Sequence, residues 1–155
     1  MDLNDWLIDP FVLETINNVY NRRDCWLTHG SFIRESNKTI QGEPYPDWVK
    51  KEKAYRRHSR WLAQHLRTFR GFLWNNINKE DLKNKFGKWP TVIGDLIMTY
   101  PMLEMCPPDK VYHISSVLYN YNDMNPLNDF RIKANLVKIE ERMIKEKPIY
   151  KELIR

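Results

Sequence analysis

At 155 residues, 42% apolar and 13% aromatic, the chain is long enough to bury a real core as one domain and too apolar to remain disordered. No apolar run reaches the ~18 residues of a membrane span, and Asp2, Asp5 and Asp9 stand where a signal peptide would carry basic residues, so neither is expected. The net charge is +5, and between Lys50 and Arg70 eight basic residues face the single Glu52, which makes that segment the expected meeting point for an anion.

Along the chain, Asp9-Pro10 reads as a helix start, and Phe11, Val12, Leu13, Ile16, Val19 and Tyr20 form an apolar stripe to about Asn21. CWLTHGSFI (Cys25–Ile33) predicts a strand with Gly30 as a bulge, and the polar, proline-bearing stretch Glu35–Pro46 a loop. The segment Asp47–Asn76 predicts a mixed, largely helical region, with Trp61, Leu62, His65 and Phe69 at helical spacing. NKEDL opens a short helix, and the chain breaks between Gly87 and Pro90. Gly94–Met105 predicts a compact helix ended by Pro107-Pro108, Tyr112–Tyr121 one strand or two, and Pro126 a turn. A final amphipathic helix is predicted over Asp129–Lys145, with Ile132, Leu136, Ile139 and Met143 on one face. Helices interleaved with a few strands make the class α/β. Cys25 and Cys106 form no CxxC pair and lack zinc spacing, which reads as reduced, structural thiols in a cytoplasmic protein. Frequent Asn, Lys and Ile suit an AT-rich coding sequence, such as that of a large DNA virus.

Several stretches carry a resemblance when taken in order. DWLIDPFVLETINNVY followed by CWLTHGSFI, then HLRTFRGFLWNNINKEDL, GDLIMTYPMLEM, VLYNYNDMNPLNDF and the closing KPIY together resemble family-two glycosyltransferases of the GT-A fold. The match spans essentially the whole chain. It implies a partial GT-A nucleotide-diphospho-sugar transferase fold that lacks the N-terminal nucleotide-binding half and begins at the acidic DxD-type motif. Asp2, Asn4 and Asp5 would then be the metal ligands, with Leu3 in place of a small residue and Asn4 in place of an acid. One negative charge fewer implies only weak affinity for a divalent cation, Mn²⁺ or Mg²⁺. The partners implied are a nucleotide-sugar donor and a glycan or protein acceptor. An incomplete sheet would also leave an open edge, which implies a homo-oligomer or a partner chain completing the fold.

The resemblance assigns Asp95 the role of catalytic base, which takes the acceptor hydroxyl proton. The same Asp, placed before an apolar helix, is equally a helix N-cap. His65 and Arg67 match an HLR motif and are assigned to substrate binding, Arg67 facing the leaving diphosphate. Their structural alternatives are a packed histidine and a solvated arginine. Asn125, Asn128 and Asp129 would also bind substrate, although a turn and a helix cap account for all three. The basic segment, with Tyr55, Trp61, Phe69 and Trp74 interleaved, suggests phosphate tracking and base stacking. Helical spacing makes those aromatics core instead, so nucleic acid is the disfavoured partner. Three readings stay open: a transferase portion needing a second chain, an inactive remnant acting through interactions, and a basic nucleic-acid-binding module.

Overall fold

Strand β2 (Leu27–Arg34) is the axis of the fold, and its first six residues, LTHGSF, are all buried. A computed structural model describes residues 5–84, 86–125 and 133–154. Around β2 it arranges β1 (Trp6–Leu7), β3 (Ile40–Gln41), β4 (Thr68–Phe69) and β5 (Val111–Tyr121) in one five-stranded sheet of order β1-β5-β2-β3, with β4 also paired to β2. The β2–β5 pair is parallel and the others antiparallel, so the chain is a mixed α/β protein with a mixed sheet. Parallel neighbours need a long crossover, and residues 35–110 supply it, carrying α2 (Asp47–Lys51), α3 (Gly71–Asn75) and α4 (Gly94–Met105). Helices α1 (Val12–Arg22) and α5 (Ala134–Lys145) complete the set.

Two apolar clusters follow from this layout. The larger joins Leu27, Tyr55, Leu73, Tyr100 and Leu103, and fixes α4, whose residues from Thr99 to Met105 are all buried. The smaller consists of Val12, Ile16, Ile114 and Leu118, with Val19 and Tyr20 against it, so part of the α1 stripe faces β5 while its other members, Phe11 and Leu13, are exposed. Among the described residues, no helix is long and apolar enough to cross a membrane.

The expected bulge falls beside Gly30, but the extra residues are in the partner strand. Gly30 opposes Ile114, Ser31 opposes Val117 and Phe32 opposes Tyr119, so β5 spends eleven residues against the eight of β2. This brings Tyr119 and Tyr121 level with Phe32 and Arg34. The helix at Gly94–Met105 is found as expected. The first helix starts later than Asp9-Pro10, at Val12 with Phe11 as an uncapped N-cap, and the Asp9 carboxylate instead accepts from the Phe11 N–H at 2.7 Å in the turn ahead of it.

Two further expectations are corrected. The region after α2 is not largely helical: a 3₁₀ turn at Ala54–Arg56 leads into irregular backbone up to β4. Tertiary bonds hold it: the Leu62 and Ala63 N–H groups both donate to the Tyr45 hydroxyl, and the Gly30 N–H donates to the Gln64 carbonyl. Trp61, Leu62, His65 and Phe69 therefore share no helix face. The last helix is described from Ala134, and its buried residues are Val137, Glu140 and Ile144, while Ile139 is exposed. Glu140 explains the rotation, because its carboxylate accepts from the N–H groups of Thr91, Val92 and Ile93 at 2.6, 3.0 and 3.3 Å. Ile132 and the Pro126 turn lie outside the described residues.

The basic segment is largely neutralised from within. Lys50 pairs with Asp47, Lys53 with Glu152, Arg56 with Glu104, Arg57 with Glu52, Arg60 with Glu43 and Arg67 with Asp95. Arg56 and Glu104 are both buried, and a lone buried charge would be expensive. Arg56 Nη2 donates to Glu104 Oε2 at 3.0 Å and Arg56 Nη1 to the Ile144 carbonyl at 2.6 Å, while the Tyr150 N–H donates to the same Glu104 oxygen.

Candidate functional site

Arg67 sits just before β4, on backbone that crosses over the centre of β2. The close approach depends on Gly30: a Cβ there would stand 3.0 Å from the His65 carbonyl oxygen and 3.1 Å from the Leu66 nitrogen. Arg67 Nη1 donates to the Ala63 carbonyl at 3.0 Å, which fixes the side chain on its own loop. Its other terminal nitrogen, Nη2, reaches Asp95 Oδ2 at 2.8 Å and His65 Nδ1 at 3.4 Å. Three residues from two separate sequence motifs thus meet at one nitrogen.

Asp95 lies in the first turn of α4 but does not cap it. The N-cap position is Ile93 and carries no side-chain bond, so the capping alternative gives way to the ion pair with Arg67. Glu140 holds the three residues ahead of the helix and thereby sets where Asp95 begins. Asp95 Oδ1 has no partner among the described residues, and the side chain is 36% exposed.

His65 is held by aromatic rings. Its imidazole stacks at 10° on Tyr119, with centroids 4.7 Å apart, continues to Tyr121 at 5.9 Å, and meets Phe32 edge-on at 5.8 Å. Burial, reinforced by the Arg67 charge, pushes its pKa down to about 3. The ring is therefore neutral near pH 7. Arginine has no acceptor, so Nδ1 accepts from Arg67 and the ring proton sits on Nε2.

Asp5 joins the same group from below. It is buried, its Oδ2 accepts from the Tyr119 hydroxyl at 2.6 Å, and its Oδ1 accepts from the Asn122 N–H at 2.8 Å. A chain of contacts thus runs Asp5–Tyr119–His65–Arg67–Asp95. Asn125 follows the turn after β5. Asp2, Asn4, Asn128 and Asp129 lie outside the described residues. Among the described residues, no group of three or more His, Cys, Asp or Glu side chains could hold a metal ion.

Tyr119, Tyr121, Phe32 and Glu140 are the members that motif reading alone misses. The strand alternation in LYNY does place both tyrosines on one face, since side chains repeat every second residue. Glu140 leaves no comparable trace in the sequence.

Comparison with family models, with curated proteins and with solved structures gives no match.

Proposed function

We propose that the chain is the acceptor-side portion of a glycosyltransferase-like protein of the family-two, GT-A type, which transfers a sugar from a nucleotide-diphospho-sugar to a glycan or protein hydroxyl. The observation that carries this is the convergence of His65, Arg67 and Asp95 on Arg67 Nη2, across 28 positions of sequence. Asp95 keeps one carboxylate oxygen open to take the proton of an acceptor hydroxyl as its oxygen attacks the anomeric carbon. Arg67, fixed by Ala63 and Asp95, faces the negative charge gathering on the departing diphosphate. Neutral His65 offers its Nε2–H as a donor beside them. The nucleotide itself falls to another chain or another portion of the enzyme, because positioning both substrates is what makes such a site work.

Both oxygens of Asp5 accept a hydrogen bond within the fold, which fixes the carboxylate. A weakly held Mn²⁺ or Mg²⁺ would use its remaining lone pairs together with Asp2 and Asn4.

A second reading draws on the same contacts: a remnant without activity that works as an interaction protein. Asp5 and Arg67 are both engaged inside the fold, while Trp6, Ile8, Phe11 and Leu13 are exposed along the edge strand β1 and the start of α1. Calorimetric titration with uridine and guanosine diphospho-sugars, with and without Mn²⁺, separates the two. Weak binding that Arg67→Gln abolishes supports the transferase reading, with no turnover expected from this chain alone. Absence of binding to every donor tested supports the remnant. Turnover that survived Asp95→Asn would remove Asp95 as the base.

A further inference from the structure

A guanidinium grips an oxyanion best through two parallel N–H groups, and it has two edges that offer them. One edge pairs Nη1 with Nη2 and the other pairs Nε with Nη2. Both therefore contain Nη2. In Arg67 that nitrogen is committed twice, to Asp95 Oδ2 at 2.8 Å and to His65 Nδ1 at 3.4 Å. Nη1 is tied as well, to the Ala63 carbonyl at 3.0 Å. The fold thus leaves Arg67 charged but without a complete fork to present. An anion that takes a two-point hold has to displace one of the partners of Nη2.

The two partners are held very differently. His65 stacks on Tyr119 with centroids 4.7 Å apart and meets Phe32 edge-on at 5.8 Å, so moving its ring breaks both contacts. The Asp95 carboxylate has Arg67 as its one partner among the described residues, and the side chain is 36% exposed. The Thr99 hydroxyl bonds the Asp95 main-chain carbonyl at 2.7 Å and not the carboxylate, so the side chain can turn outward while the helix stays. Asp95 is the partner that yields. A partly exposed pair of this kind is screened and weak, whereas two phosphate oxygens on one fork make the stronger, charge-assisted arrangement.

We propose that the Arg67–Asp95 pair is a latch on the site: a diphosphate takes the Arg67 fork from Asp95, and the released carboxylate stands with both oxygens open to receive the acceptor proton. This rests on the transferase reading above and adds to it a closed state without donor. The group that would leave with the nucleotide is then the one that frees the base.

The test is calorimetric titration of the full chain with inorganic pyrophosphate, which supplies the diphosphate without sugar or nucleoside. Asp95→Asn keeps the shape and removes the competing charge, and should bind about fivefold more tightly, the equivalent of one screened ion pair. Arg67→Lys keeps the positive charge but has no fork, so adding Asp95→Asn to it should improve affinity by less than about twofold. The same gain in both backgrounds would be charge repulsion alone and overturns the latch. A second measurement needs no variant. In the unmodified chain, saturating pyrophosphate should shift the Asp95 carboxyl carbon and the Arg67 side-chain nitrogens together in nuclear magnetic resonance spectra. An Asp95 signal that stays in place while Arg67 moves also overturns the latch. Equal affinity in the parent and Asp95→Asn, lost in Arg67→Gln, overturns it too and leaves the transferase reading standing. Binding by none of these chains removes the reading along with the latch.

Discussion

Arg67 Nη2 stands 2.8 Å from Asp95 Oδ2, and this one contact ties a loop that crosses the sheet to the first turn of α4. The pair is partly buried, with Arg67 the more enclosed partner at 13% side-chain exposure against 36%. Solvent screens such a pair, so its net contribution is about 1 kcal/mol. Asp95→Asn keeps the shape and removes the charge, and should lower the melting temperature by about 2–4 °C. Arg67→Gln should act similarly, and a double-mutant cycle should return a coupling of at least about 0.5 kcal/mol. A coupling of zero would show that the contact holds nothing in place.

Arg56 and Glu104 present the opposite regime. Both are buried, and burial pushes the Glu104 carboxyl pKa up while Arg56 pulls it back. Removing either partner strands a charge in the interior, so Arg56→Met should cost about 3–5 kcal/mol, whereas Arg142→Met, which breaks the exposed pair with Glu146, should cost far less. Urea denaturation of the two variants gives the comparison. Similar losses in both would mean that the interior pair is reached by water.

These contrasts show which parts of the molecule a sequence can announce. The helix at Gly94–Met105 is legible because prolines and a dense apolar run bound it, and β2 is legible because apolar and small residues make up most of it, with His29 and Arg34 the exceptions. The stretch from Ser59 to Arg67 is not. Its backbone is fixed by Tyr45 and Gly30, residues far away in sequence, so helical spacing at Trp61 and Leu62 misleads. Of the site, His65, Arg67 and Asp95 are nameable from their motifs, and the structure brings them into contact. Their fixing partners, Tyr119 beneath His65 and Glu140 ahead of Asp95, belong to elements whose own patterns say nothing about that task.

Gly30 tests whether the site depends on close backbone approach. Its missing Cβ leaves room for the His65 carbonyl, and an alanine methyl would meet it at 3.0 Å with rigid backbone on both sides. Gly30→Ala should therefore destabilise by about 1–3 kcal/mol, as overpacking does. The shift should also move the loop that carries Arg67, so resonances of His65 and Arg67 should change more than those of the distant Arg142. Full stability, or changes confined to residue 30, would show that the loop yields freely.

The pH dependence follows from two histidines, the buried His29 and the partly buried His65. His29 is held to about 3 by burial, with the His113 charge next in weight, and His65 to about 3 by burial and then Arg67. Unfolded, each would titrate near 6.5. Between those values the unfolded chain binds protons that the folded chain refuses, so stability is complete above about 6.5 and falls as pH drops toward 3. Each histidine contributes a slope of about 1.4 kcal/mol per pH unit once pH is well below 6.5. Between pH 6 and about 5 most carboxylates have not begun to protonate, which isolates the histidines. His113, also lowered by burial, adds to the same slope. His65→Phe keeps an aromatic ring on Tyr119 and removes one titrating group. Stability from urea unfolding at several pH values should then lose about one proton's share of its slope, near 1.4 kcal/mol per unit. The same slope in the variant and the parent would mean that His65 protonates inside the folded protein, and that its stacked, neutral state beside Arg67 is wrongly assigned.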